Sequence, residues 1–157
     1  MFRNMLRAKQ QLPLAECLEL LKTEKRGVLS VLGDGGYPYG MPLNHYYNPE
    51  DGKLYFHSGK LGHKLDALRR CDKASFCVLD SGEREGDWAL RFRSVIVFGR
   101  VEFVEDRERI YEITARLSRK FTDDEAYIAQ ELRRSGPAAC LFALNPEQIC
   151  GKRVLES

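Results

Sequence analysis

The chain of 157 residues has no long hydrophobic run. None of its apolar stretches nears the roughly 20 residues that span a bilayer, and its start holds no apolar run of signal-peptide length. No membrane partner is expected, and the expected location is the cytoplasm. A dominant charge is missing too: 25 Lys and Arg against 23 Asp and Glu leave a formal net charge of +2. Nucleic-acid binding draws on a strong basic face, or on Lys and Arg interleaved with exposed aromatics, and neither is present, so no nucleic-acid partner is expected. There is no G-x-S-x-G and no H-E-x-x-H, and the three histidines share one short region without metal-ligand spacing. That excludes the common hydrolase and metalloenzyme constellations, and no metal site is expected. The five cysteines, Cys17, Cys71, Cys77, Cys140 and Cys150, include no C-x-x-C. They read as reduced thiols, with Cys77 and Cys140 inside apolar runs as small buried hydrophobes.

What is present fits one domain over residues 1–157, since one core suffices for a chain of this length. Leu14, Cys17, Leu18 and Leu21 recur at helical spacing and Pro13 suits a first turn, which predicts a helix over Leu14 to Thr23. Val28 to Leu32 is a short β-prone run, and Gly33-Asp34-Gly35-Gly36 forms a hairpin turn rather than a G-x-G-x-x-G dinucleotide loop. Tyr39 to Tyr47 is the next strand. Asn48 to Gly52 turns it into Lys53 to His57, making a three-stranded meander. Leu61, Leu65 and Leu68 predict a helix ending at Arg70. Strands at Ala74 to Leu79 and Ser94 to Val104 flank a polar loop from Asp80 to Asp87. Two helices follow, from Asp106 to about Phe121 and from the cap at Thr122-Asp123-Asp124-Glu125 to about Arg134. A sixth strand, Ala138 to Leu144, ends at Asn145-Pro146. Short strands with regular turns and late helices predict a mainly β fold, a six-stranded antiparallel barrel flanked by helices.

Two stretches carry potential chemistry. His57, Ser58, Lys60, His63 and Lys64 lie between a strand end and a helix start, where unpaired amides and cationic side chains suit a phosphate-bearing small molecule. The same residues also read as a capped, solvated helix start, with Ser58 as the cap. Tyr37 to Tyr47 holds two prolines, and Pro42 cannot donate to a ladder. It marks either a backbone gap for a flat ligand or an edge strand protected against aggregation.

The run Gly36-Tyr37-Pro38-Tyr39-Gly40-Met41-Pro42-Leu43-Asn44, then Leu54-Tyr55-Phe56-His57-Ser58, Gly62-His63-Lys64-Leu65-Asp66-Ala67-Leu68 and Ser94-Val95-Ile96-Val97-Phe98-Gly99-Arg100, resembles the pyridoxamine-phosphate-oxidase-like flavoproteins, and within them the nitroimidazole-resistance branch. The resemblance covers nearly the whole chain. It implies an FMN-binding split β-barrel working as a homodimer, with FMN between the subunits. By it Gly62, His63 and Lys64 hold the FMN phosphate, with His63 where an arginine is usual. Gly40, Met41, Pro42, Leu43 and Asn44 lie along the ring and ribityl chain, followed by His57 and Ser58 on the neighbouring strand, and Ser94 approaches from the partner subunit. The implied activity is an FMN-dependent oxidoreductase, of the nitroreductase or flavin-reductase kind, that reduces a small acceptor such as a nitroaromatic with NAD(P)H or another donor. The bound flavin does the chemistry, so no catalytic residue is named. The C-terminal Gly151 to Ser157 lacks the Arg-rich closing motif of true pyridoxamine-phosphate oxidases. The alternative is a non-catalytic module of the same barrel that carries flavin or haem.

Overall fold

The computed structural model describes residues 1–86 and 88–156. Helix α1 (Leu14–Thr23) leads into β1 (Arg26–Leu32) and β2 (Pro38–Asn44), joined by a tight turn with Gly35 and Gly36 at positive φ. Then come β3 (Tyr46–Asn48), β4 (Lys53–Gly59), α2 (His63–Arg70), β5 (Lys73–Leu79), β6 (Glu83–Glu85) and β7 (Ala89–Val104). Helices α3 (Arg107–Ser118) and α4 (Glu125–Ser135) precede the last strand, β8 (Ala139–Glu156). The pairing is antiparallel, in the order β2-β1-β5-β7-β8-β4-β3, with β6 added alongside β7. This is the antiparallel split β-barrel with flanking helices, in which the ends of one curled sheet approach each other instead of closing.

Alternation fills the interior. Leu29, Val31, Met41, Leu54, Phe56, Phe76, Val78, Val95, Val97, Phe142 and Leu144 point inward, and Cys17, Leu20 and Leu21 of α1 with Leu65 and Leu68 of α2 join them. Phe56 meets Phe76 edge-on at 4.9 Å and stacks on Phe142 at 5.3 Å, placing three aromatic rings in the middle of the core. Each side chain of this size contributes about 1.5–3 kcal/mol on burial. Helix α3 instead packs on the outside of the barrel, its Ile113 against Tyr55, Leu141 and Ala143.

Several elements differ from the sequence expectations. The run expected as one strand from Tyr39 to Tyr47 breaks at His45, and its halves lie at opposite ends of the strand order, so no meander forms. The cause is local: the wholly buried His45 turns its ring inward, where Nε2 lies 2.8 Å from the Leu21 carbonyl oxygen and the ring sits edge-on to Phe76. Lys120, at the end of α3, donates to the Glu24 and His45 carbonyl oxygens at 2.6 and 2.8 Å and pins the break in place. Asn145-Pro146 does not end the last strand. Phe98 pairs with Gln148 and Gly99 with Pro146, so Glu147 is an extra residue at a bulge that tolerates a residue lacking an N–H. A Cβ at Gly99 would lie 2.0 Å from the Asn145 carbonyl oxygen, so the close approach there requires glycine. The loop expected from Asp80 to Asp87 contains β6, while Asp87 lies outside the described residues. Cys77 and Cys140 are half-buried rather than buried: Cys77 sits on the outward phase of its strand, while Cys140 shares the inward phase of Phe142 and Leu144 but lies at the strand's open end, where it lines a cavity.

Candidate functional site

Strand β4 runs into Lys60-Leu61-Gly62, and Gly62, at φ 130°, starts α2. The Leu65 and Asp66 amides bond back to the Gly62 carbonyl at 3.0 and 3.2 Å. No side chain caps the helix, so Ser58 is not its cap; the Ser58 hydroxyl donates to the Gly59 carbonyl oxygen at 3.0 Å. The His63 and Lys64 amides thus have no backbone partner among the described residues. A Cβ built at Gly59 or Gly62 would meet nothing within 4 Å, so the approach to the helix start is open at these two glycines.

The two basic residues at this helix start do different work. The His63 ring stacks on Tyr39 at 4.2 Å, and its Nε2 accepts from the Asp34 amide at 3.2 Å. His63 therefore ties α2 to the β1–β2 turn, a tie that the Asp34–Arg70 pair at 2.6 Å reinforces. Lys64 has no acidic partner among the described residues, and its charge is felt by His57, whose pKa is lowered first by partial burial and then by Lys64. His57 thus presents a neutral imidazole near pH 7.

A cavity of about 290 Å³ lies beneath the α3–α4 pair, and His57, which feels the Lys64 charge, is in its wall. Asn44 and His57 meet Ser118, Thr122, Glu131 and Ser135 in its polar lining, and Leu117, Phe121, Ile128 and Leu132 form its apolar wall. Thr114 adds a buried hydroxyl oxygen that no protein group satisfies, the mark of a wall built to meet a ligand or water.

The candidates therefore fall into groups. Asn44 and His57 line the cavity, while Lys64 sits at the helix start and reaches His57 through its charge. Gly40 and Pro42 share the outer face of β2, while Met41, only 8% exposed, and the partly buried Leu43 point into the barrel and offer a ligand backbone only. Ser94 sits on the outer face of β7, three strands from β2, or ~14 Å at normal strand spacing, and is not part of the cluster within one chain. The cavity wall from α3 and α4 was not foreseen, because an amphipathic stripe that lines a cavity looks the same in sequence as one that packs on a core.

The outer face of the open sheet carries one apolar row beside a mixed one. The registers align Pro42, Val28, Cys77, Ile96 and Cys150 in one row across β2, β1, β5, β7 and β8. The next row aligns Gly40, Ser30, Ser75, Phe98 and Gln148. Val95 is 0% exposed and faces the core; its neighbours Ile96 and Phe98, 39% and 37% exposed, face outward.

The chain is a split β-barrel with an uncapped helix start and a largely apolar cavity, features that offer donors for an anionic group and room for a small molecule. The sequence matches the pyridoxamine 5'-phosphate oxidase family over residues 13–153, and the chain belongs to that family. Among solved structures, it is similar to a 5-nitroimidazole antibiotic resistance protein of Bacteroides thetaiotaomicron, with TM-score 0.79 and 20% identity over 93% of this chain and 87% of that one. An FAD-binding protein of Mesorhizobium loti aligns with TM-score 0.67 and 24% identity over 92% and 97% of the two chains. An FAD and haem binding protein of Mycobacterium smegmatis aligns with TM-score 0.73 and 21% identity over 91% and 72%. No curated protein sequence matches the chain.

Proposed function

We propose that the chain is a flavoprotein that binds FMN between two copies of itself and reduces a small acceptor, nitroaromatics being the class that suits the apolar cavity. The observation that carries this reading is the open helix start of α2, where two amides lack a backbone partner and Lys64 lacks an acidic one among the described residues, together with the Asn44–His57 cavity. Those residues fit a flavin: a phosphate at the helix start, and a ring running along the outer face of β2 towards Asn44 and His57. Strand β2 ends the strand order, so one of its edges has no strand partner and its backbone groups are available to polar ring atoms. The bound flavin would supply the two-electron redox chemistry, with NAD(P)H as donor. The chain's own part is to neutralise the phosphate with Lys64, hold the ring against β2, and keep water from the apolar wall of the cavity. Ser94 and the apolar row of the outer face would come from the second copy.

Purified protein is expected to be yellow, with a flavin spectrum bleached by NAD(P)H under nitrogen and restored by a nitroaromatic, and its extracted cofactor is expected to be FMN by mass. A Soret band in place of the flavin spectrum would overturn the reading in favour of a haem-binding module with His57 as a ligand, and colourless protein that takes up no FMN would overturn it outright. Lys64→Ala is expected to weaken FMN binding by about 1.5–3 kcal/mol, the value of hydrogen bonds to a charged group. The barrel should keep its thermal midpoint, since Lys64 packs no core. FMN titration of the apo-protein checks this, and unchanged affinity would return Lys64 to the solvated face.

A further inference from the structure

A second cavity, of about 650 Å³, opens between the α3–α4 pair and the ends of β7 and β8 that adjoin them. Thr114, Leu132, Gly136 and Ala139 line both cavities, so the two form one trough running from His57 to Arg107. The composition changes along it. The far arm is bordered by Lys60, Arg69, Arg107 and Arg133, with Glu105 as its single carboxylate.

Several arginines elsewhere on this nearly neutral chain are matched with acids. Arg93 pairs with Asp80 at 2.9 Å, Arg100 with Asp72 at 2.9 Å, Arg109 with Asp51 at 2.8 Å and Arg119 with Glu125 at 2.7 Å. Along the trough, Lys60, Arg107 and Arg133 have no salt-bridge partner among the described residues. Only Arg69 is paired, with Asp66 at 3.3 Å, and its guanidinium also lies 5.6 Å from the Phe103 ring. Like charges gathered around a concave surface repel one another, and the fold gains nothing from them until an anion arrives. Phe103, Ile110 and the half-exposed Tyr111 give the same arm flat apolar walls. The complement of such a surface is a ligand with clustered negative charge joined to an aromatic ring, and the volume falls in the range of small-molecule sites.

We propose that the basic arm of the trough binds the adenosine diphosphate part of a pyridine dinucleotide, the electron donor, and directs its nicotinamide along the trough to the His57 cavity. The part played by the nicotinamide rests on the flavin reading: there the reduced ring gives a hydride to the flavin and leaves as the oxidised dinucleotide. The diphosphate binding does not rest on it. Arg107 and Arg133 are exposed and far from the barrel core, so replacing them leaves the fold intact.

The test is calorimetric titration of ADP into the apo-protein and the flavin-loaded protein, with NADH kinetics alongside. ADP should bind the parent chain with and without flavin, and Arg107→Ala with Arg133→Ala should weaken it by about tenfold or more, the effect of losing charge-assisted contacts. KM for NADH should rise by a similar factor while kcat at saturating NADH and flavin content stay constant. Replacing both arginines by lysine should restore most of the ADP affinity. Absence of ADP binding to the parent, or equal affinity in the double alanine variant, would overturn the proposal. So would a variant whose KM for NADH is unchanged but whose preference for FAD over FMN is lost, because the arm would then hold the cofactor's own nucleotide. Apo-protein that binds ADP but takes up no flavin would leave the diphosphate site standing and overturn the flavin reading alone.

Discussion

A chain carrying Ile96→Asp is expected to run as a monomer and to lose most of its flavin, where the parent runs as a dimer with flavin bound. Ile96 lies in the middle of the row from Pro42 to Cys150, and with Phe98 it exposes more than a third of its surface on an open sheet face. Such a face is stabilised by covering it with an identical face, which would create two equivalent clefts from one surface. An aspartate there must be desolvated without a partner when the second copy docks, at a cost of about 2–7 kcal/mol or more. In the isolated chain the same aspartate faces water, so the barrel should stay folded. Val95→Asp would not separate these effects, because Val95 is buried in the core and its carboxylate would unfold the barrel. Light scattering and flavin absorbance should fall together across a set of Ile96 and Phe98 variants. A monomer that keeps stoichiometric flavin contradicts the interfacial site.

The apo-protein is also expected to lose about 3 kcal/mol of stability between pH 7 and pH 4 through His45 alone. Burial, and then the charge of Lys120, lowers the His45 pKa to about 3. Between the ordinary histidine value and that one, the unfolded chain binds a proton that the folded chain refuses, so this stability is present above about pH 6.5 and is lost as the pH falls towards 3. Urea unfolding at both pH values measures it. His45→Gln keeps a donor for the Leu21 carbonyl and removes the titration, so it should lower stability at pH 7 but flatten the acid slope. Parallel slopes for parent and variant would show that the split of the barrel does not depend on a neutral ring.

Much of the fold was legible in the residues. Helix α1 has its foreseen bounds because the i, i+3, i+4, i+7 stripe and Pro13 are local signals, and local physics decides a short helix on a barrel end. The strand runs were legible for the same reason, except where a tertiary demand overrode local chemistry. Nothing in Asn44-His45-Tyr46 marks a break, since the break comes from the fit of a histidine ring beneath α1. Pro146 reads as a strand end, yet the pairing of β7 with β8 absorbs it in a bulge opposite Gly99. The inward phase of Val95 is also a matter of register, because in a strand apolar on both faces a period of two cannot say which face is the core.

The sequence by itself determined the class of fold, the family, and the basic stretch from His57 to Lys64 as the place to look for an anion. Those properties rest on residue types at short spacing, where a helix start or a turn needs only its neighbours. Tertiary structure alone decided which of those residues are free to act. It committed His63 to Tyr39 and Asp34, left Lys64 without an acidic partner among the described residues, and set Asn44 opposite residues of α3 and α4 that lie 70 or more positions away. It also brought Lys60 and Arg69 beside Arg107 and Arg133. A cavity is made by surfaces that meet only when the sheet curls, so its lining has no signature along the chain.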